Sequence, residues 1–551
     1  MLGLATGIVT SIFILAFRYL IDQGGVTLVG LDSSDNFESL SILERAFWCV
    51  GGALILGLLL NRYNPSARRV GVVHVMERLS RHQGYLPLRN AVIQFFGGAI
   101  ALATGQSGGR EGPAIHLGAT AASLLGQKFA LPNNSIRTMV ACGTAAAIAA
   151  SFNTPIAGVI FAMEVVMMEY AIASFIPIIM ASVSATILTQ YFFGSAPAFN
   201  VAPAVMSSPY ELIYLVFAGI IIGAIAAAFI HLVQRFAKLS YWPFWLRMGL
   251  AGAITAIAAA ALPQVMGVGY DTVNEVMLGQ LSIVLLIALM AGKLVTSAAT
   301  VGLGMPVGLI GPVMFIGACV GGIFGKSLLL VQDLDVSVGL YVMLGMCAMM
   351  AAVLQAPLAA LMAVMEMTAS TSIVLPAMVI ITIATLVCSQ VFGQKSAYIT
   401  TLNTLGLQYP PNPVTLHLQR VGATAIMDRS LIRLPSSISN ERALEIVANP
   451  PAWIIVDKDD GDIRAVLNPS DLAAFMQERG AEEEEIHLLE LPGQRMDVCF
   501  VDVQATAMEA QAALEKSQAE ACCVQRTSVP LIKPVVGIVT RQHLENYRNL
   551  S

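Results

Sequence analysis

Apolar residues fill the first 400 positions in runs that stop and restart, at roughly 1–20, 46–60, 91–104, 113–127, 138–151, 155–168, 172–193, 210–233, 246–262, 281–301, 306–330, 338–355, 357–367 and 372–392. Several are shorter than the about 20 residues that one simple membrane crossing needs. Others are interrupted by Pro113, Pro155, Pro306, Pro312 or Pro357. Backbone freed at such breaks is tolerated inside a bilayer only where protein covers it or a cavity is lined by it. Transporters use broken helices of this kind to hold ions near the midplane. The pattern predicts a polytopic all-α membrane domain over residues 1–402. Its first run, Met1 to about Leu20, lacks a basic leader and reads as a membrane helix.

The periodicity changes after Lys395. Residues 403–417, with Pro410, Pro411 and Pro413, read as a linker. Beyond it, residues 418–480 and 486–551 repeat one order of short elements. The first unit predicts a helix over 440–448, strands over 452–457 and 463–467, and a helix over 471–477. The second predicts a helix over 505–516, strands over 521–525 and 535–539, and a helix over 543–547. Asn468 and Leu472 recur as Thr540 and Leu544. A duplicated α/β tail follows, with the acidic run Glu482–Glu485 as a solvated connector.

The membrane domain is duplicated too. One copy runs GREGP (Gly109–Pro113), Gly118, then SFNTPIAGVIFAMEV with Pro155 and Glu164. The other runs GLIGP (Gly308–Pro312), Gly317, then VLQAPLAALMAVMEM with Pro357 and Glu366. In both copies the glutamate falls nine positions after the proline. Each GxxGP loop frees the backbone and then opens a helix, whose unpaired N–H groups and positive dipole end favour an anion. Two such ends in related halves predict an anion site between them.

Composition narrows the choice. The chain is 56% hydrophobic and 12% charged, against about 25% charged for soluble domains. About half of the charged residues fall in the last quarter, as a soluble tail requires. A net charge of −5 points to no particular partner, and no basic run suggests nucleic acid, so none is expected. The eight cysteines show no CxxC or Cys/His metal spacing, so no metal is expected, and adjacent Cys522 and Cys523 fit a reducing compartment.

On GREGP, GLIGP, AAIAASFNTPIAGVIFAMEV, AAVLQAPLAALMAVMEMT and the GQKSAY stretch ending at Tyr398, the chain resembles the CLC family of chloride channels and chloride/proton antiporters. The tail resembles a tandem pair of CBS domains. The resemblance implies two inverted repeats and a homodimer with one anion pathway per subunit. It also places the protein in the cytoplasmic membrane, with the CBS pair in the cytoplasm. Glu111 matches the gating glutamate: a carboxylate at a helix N-terminus can fill the anion's place and leave when protonated. Burial disfavours its ionised form while backbone N–H donors favour it. Tyr398 matches the anion-coordinating tyrosine. Gly109, Arg110, Gly112, Leu309 and Ile310 match the loops that donate backbone N–H groups, with Ile310 at the usual phenylalanine. Arg110 is expected to be structural or to shape the field.

Two departures alter the expectation. The family's serine-bearing anion loop corresponds to RRVGVVHVME, which puts Val70 at the serine beside Gly71 and removes one side-chain donor. Ser107, in the GREGP loop, is not that serine. The internal glutamate of antiporters falls at Val165, which cannot relay a proton. Glu164 and Glu366, being twins in the repeat, are expected to be structural. The resulting expectation is chloride-selective transport gated by Glu111, with channel-like conduction slightly favoured over proton-coupled exchange. A CBS-regulated divalent cation transporter would need a cluster of acidic ligands that the apolar runs lack. A membrane enzyme would need a nucleophile–base pair, for which only Ser107 and His116 could be imagined. No cofactor is required beyond chloride as cargo. Adenine nucleotide on the tail is an option through Ser470, Asp471 and Thr540, although His543 stands where an acid is common.

Overall fold

The computed structural model describes residues 1–31, 36–195, 199, 211–331, 337–369, 371, 373–407, 418–458, 462–479, 485–526 and 534–549. It divides into one unit of Met1–Lys128 with Ile136–Pro410 and another of Phe129–Ser135 with Pro411–Ser551.

The first unit is helical. Its helices are α1 (Leu2–Gly24), α2 (Ile42–Asn61), α3 (Gly71–Arg81), α4 (Leu88–Ala103), α5 (Glu111–Lys128), α6 (Asn133–Phe152), α7 (Pro155–Phe161, continued by a π-turn over Ala162–Met167), α8 (Ile172–Phe193) and α9 (Glu211–Ala237). There follow α10 (Phe244–Ala261), α11 (Tyr270–Met277), α12 (Ile283–Gly302), α13 (Ile310–Val331), α14 (Val338–Leu354), α15 (Pro357–Thr368), α16 (Val374–Leu386) and α17 (Ala397–Thr404). Among the described residues, nine helices are long and apolar enough to cross a membrane, and four shorter apolar ones accompany them. The chain is therefore a multi-span membrane protein. Helix α17 runs two residues past position 402, and the described part of this unit ends at Leu407.

Close packing repeats with the sequence. A Cβ at Gly118 of α5 would lie 2.4 Å from the Gly143 carbonyl of α6, and one at Gly317 of α13 would lie 2.4 Å from the Gly345 carbonyl of α14. Small residues let helix backbones meet where lipid supplies no hydrophobic drive. Helix α14 is apolar all round, and its residues from Gly339 to Leu354 are buried. A helix hydrophobic on every face belongs in the middle of a large core.

The second unit is α/β. Strands β1 (Leu431–Leu434), β3 (Trp453–Asp457) and β4 (Ile463–Leu467) form one sheet, and β6 (Val498–Asp502), β7 (Ala521–Gln525) and β8 (Val535–Thr540) form another. Each sheet has one parallel and one antiparallel pairing. Each also has a register irregularity near the end of its middle strand, at Val456/Asp457 and at Val524/Gln525. Helices α18 (Asn440–Ala448), α19 (Pro469–Arg479), α20 (Ala507–Ser517) and α21 (Arg541–Asn549) accompany them. Strands β2 (Ser437–Ser439) and β5 (Glu485–His487) pair antiparallel. The acidic connector is thus corrected at its end: Glu485 opens a strand, while positions 482–484 lie outside the described residues.

Candidate anion site

The two glycine loops meet. The Gly109 N–H donates to the Gly308 carbonyl at 2.7 Å and the Gly308 N–H donates back to Gly109 at 2.6 Å, an isolated antiparallel bridge. The approach needs glycine, because a Cβ at Gly308 would lie 2.5 Å from the Gly112 nitrogen and one at Gly112 would lie 2.7 Å from the Gly308 Cα. Helices α5 and α13 start just beyond the bridge, so their N-termini converge. This corrects one expected donor: the Gly109 amide is committed to the bridge.

Glu111 is the first residue of α5 and is fully buried. Its carboxylate accepts from the Gly311 N–H at 3.3 Å and from the Tyr270 hydroxyl at 2.6 Å. The carboxylate of one repeat therefore sits on the helix end of the other, where an anion would be favoured. Neither Gly311 nor Tyr270 was named from sequence. Gly311 matches Gly112 in the repeat and could have been inferred from it, whereas Tyr270 lies outside both motifs.

A cavity of about 530 Å³ reaches this point from one side. It is lined by Val70, Gly71, Gly112, Leu309 and Tyr398, together with Arg68, Arg69 and Arg247. Five expected residues from four separate stretches thus share one wall. The Tyr398 hydroxyl is buried and meets no protein partner among the described residues. A buried O–H without an acceptor is costly, so a donor held this way suits an anionic cargo. Val70 is the residue before α3 and brings no side-chain cap to it. The arginines make the cavity cationic, with Arg69 ion-paired to Glu77 and with Arg68 and Arg247 over the Phe244 ring at 5.2 and 5.0 Å. Charge of one sign in a low-dielectric cleft raises the local concentration of its counterion.

A second cavity, of about 260 Å³, is lined by Arg18, Arg110, Ser151, Asn153, Thr189 and Tyr270. Arg110 belongs here, with its guanidinium 5.4 Å over the Tyr270 ring. Glu111 adjoins both cavities through its neighbours, since Gly112 lines the first and Arg110 the second. Ile310 lies in neither; it lines a small apolar cleft with Met314, Phe161 and Met350. Val165 is buried in an apolar cluster on the π-turn after α7.

The twin glutamates bind backbone. Glu366 accepts from the N–H groups of Ile156 and Ala157 at 2.9 and 2.7 Å, and Glu164 accepts from those of Leu358 and Ala359 at 3.3 and 2.7 Å. Each caps the proline-opened helix of the opposite repeat. Ser107 is tied to Ser297 and Thr296 of α12 at 2.8 and 2.9 Å, while His116 meets His74 at 2.9 Å. These pairings give Ser107 and His116 different partners, so the imagined nucleophile–base pair is not formed. Among the described residues no group of three acidic, histidine or cysteine side chains could hold a metal.

In the tail, Thr540 ends β8 and its hydroxyl accepts from the His543 N–H at 3.4 Å, while the Thr540 N–H donates to His543 Nδ1 at 3.2 Å. With Nδ1 accepting, His543 carries its proton on Nε2, 3.2 Å from Asp428. Thr540 and His543 thus act together as a helix cap. The Asp471 carboxylate packs on Gly493, and Ser470 donates its N–H to Asn468 at 3.1 Å. A groove lined by Ser430–Ile432, Arg442, Asn449 and Pro451 includes none of Ser470, Asp471 and Thr540.

Two helix ends thus converge on a buried carboxylate, with arginine-lined cavities beside them. A family profile described as voltage gated chloride channel matches residues 52–389, and the chain belongs to this CLC family of anion transporters. It is 30% identical over 400 residues to a ClcB-like chloride channel protein of Ralstonia nicotianae, covering 70% of this chain and 92% of that one. It is 26% identical over 355 residues to the H(+)/Cl(-) exchange transporter ClcA of Vibrio vulnificus, covering 62% of this chain and 75% of that one. Its fold matches a slow cyanobacterial Cl-/H+ antiporter with TM-score 0.64 at 24% identity over 74% of this chain and 97% of the other. It also matches a eukaryotic CLC transporter with TM-score 0.63 at 18% identity over 98% and 97%.

Proposed function

We propose that the protein exchanges chloride for protons, with Glu111 as both gate and proton carrier. The observation that supports this most is the fully buried Glu111 carboxylate, held by Gly311 and Tyr270 where two cavities approach. An anion can take that place only when the carboxylate leaves. Leaving its donors while charged is costly in a membrane interior. Protonation lowers that cost, so anion entry and proton uptake share one group. The named exchangers among the relatives support coupling over the channel-like reading suggested by Val165. Arg68, Arg69 and Arg247 would gather chloride, and Tyr398 with the helix ends would bind it.

Proteoliposomes under opposed chloride and pH gradients test this. A reversal potential that follows the proton gradient is expected, and one fixed by chloride alone would make the protein a passive conductor. Glu111→Gln removes the titrating group while keeping its shape. It is expected to abolish proton coupling and the pH dependence of chloride flux.

The working unit is proposed to be a homodimer in the cytoplasmic membrane, with the tail as a cytoplasmic CBS pair. Exposed Ile156, Ile172, Ile176, Leu358, Leu375 and Met378 supply apolar surface for a partner subunit or for lipid. Adenine nucleotide binding by the tail is a further expectation. Titration of the purified protein with ATP, ADP and AMP tests it, and absence of heat would leave the tail a structural role.

A further inference from the structure

The hydroxyl of Tyr270 is the side-chain donor to the Glu111 carboxylate among the described residues, at 2.6 Å. It comes from α11, outside both repeat motifs. The ring is held on several sides. Phe152 and Phe199 meet it edge-on at centroid distances of 6.4 and 5.9 Å, and the Arg110 guanidinium lies 5.4 Å over it. These contacts hold the ring independently of Glu111, and the ring also lines a cavity together with Arg18 and Arg110.

A phenol O–H donates to a halide as it does to a carboxylate. We propose that Tyr270 is a two-state ligand of the gate. It latches Glu111 while the carboxylate is ionised, and it donates to the transported anion once Glu111 has left. In the second state it supplies a side-chain hydroxyl to a pathway that has Val70 where the family resemblance expects a serine. The inference rests on Glu111 being the gate.

The latch favours the ionised, closed state, because a charge-assisted hydrogen bond weakens to a neutral one on protonation. Other charged or titratable groups around the pair are Arg110, Arg18 of α1, Asp271 next on α11 and Tyr398 of α17. Lys293 of α12 holds the Val265 and Gly267 carbonyls just before α11. None of these is altered in Tyr270→Phe, which also keeps the clamped ring.

The test uses the full-length protein as wild type, Y270F, E111Q and the double variant. Chloride flux is measured against pH in proteoliposomes, and chloride affinity by calorimetry in detergent. Y270F is expected to raise chloride flux several-fold at neutral and alkaline pH, because the closed state loses a charge-assisted bond. In the E111Q background Y270F is expected to weaken chloride binding several-fold and to shift nothing with pH. Unchanged flux at neutral and alkaline pH overturns the latch, and unchanged chloride affinity in the E111Q background overturns the ligand role. If E111Q alone keeps the wild-type pH profile, the gate reading fails and the latch with it. The affinity arm still judges the ligand role separately.

Discussion

The membrane unit contains two repeated motifs, and they differ in what the repeat preserves. The proline-to-glutamate motif is the same in both halves and makes the same backbone contacts, Glu366 on Ile156 and Ala157 and Glu164 on Leu358 and Ala359, with Tyr170 as a further side-chain partner of Glu164. The glycine loops are alike in backbone and are joined by a reciprocal bridge, yet their side chains are unlike. Glu111 in one corresponds to Ile310 in the other. The first reaches across to the opposite helix end, while the second lines an apolar cleft. Symmetry is kept where the motif holds helices together, and it is broken in the glycine loops, at Arg110 against Leu309 and at Glu111 against Ile310.

That contrast can be broken most severely at the bridge. Gly308→Ala would put a Cβ against the Gly112 backbone, which cannot yield without separating α5 from α13. Transport should fall to background, and the melting temperature of the detergent-solubilised protein should drop by several degrees; wild-type flux would show that the bridge is dispensable. Gly109→Ala, on the other strand of the same bridge, should behave differently. Its Cβ would meet the end of the Glu111 side chain, 2.0 Å from a carboxylate oxygen, which can move aside, and the Gly311 nitrogen at 3.1 Å, which must yield only slightly. The expected result is a folded protein with high, pH-insensitive chloride flux. A protein that still closes at high pH would count against the gate geometry.

The symmetric motif gives smaller effects. Glu164→Gln and Glu366→Gln should each cost about 1.5–3 kcal/mol, the scale of hydrogen bonds to a charged group. The Glu164 loss should be the larger, since Tyr170 is its further partner, and proton coupling should survive both, as read from the reversal potential. Coupling lost in E164Q but kept in E366Q would give Glu164 a role that its twin lacks. The least disruptive change is Val70→Ser, which adds a hydroxyl on the wall shared with Tyr398. Chloride affinity should rise about two- to five-fold by calorimetry, and α3 should gain the cap it now lacks. An unchanged affinity would place the bound anion away from Val70.

Exchange and conduction divide on a related point. Val165 by itself suggested conduction, because valine carries no proton. Under the proposed exchange, Val165 becomes a statement about route: with buried apolar surroundings there, the proton would have to reach Glu111 by another path.

Much of this was legible in the chain. The apolar runs and their prolines gave the membrane unit, and helices α18–α21 and four of the tail's eight described strands were placed within about two residues, because periodicity is a local property, while β1, β2, β5 and β6 were missed. The two duplications were visible as well, since a repeat is a comparison of the chain with itself. Glycine spacing and a buried acid pointed to Glu111, and a motif pointed to Tyr398. Only the tertiary structure decided which donors were free. It spent the Gly109 amide on Gly308, brought Gly311 to Glu111, moved Ile310 and Arg110 away from the Tyr398 cavity, and delivered Tyr270 from a segment 159 positions along the chain. Which hydrogen bond a backbone or hydroxyl group makes depends on what lies within about 3 Å of it. Contacts between distant segments leave no periodic trace in sequence.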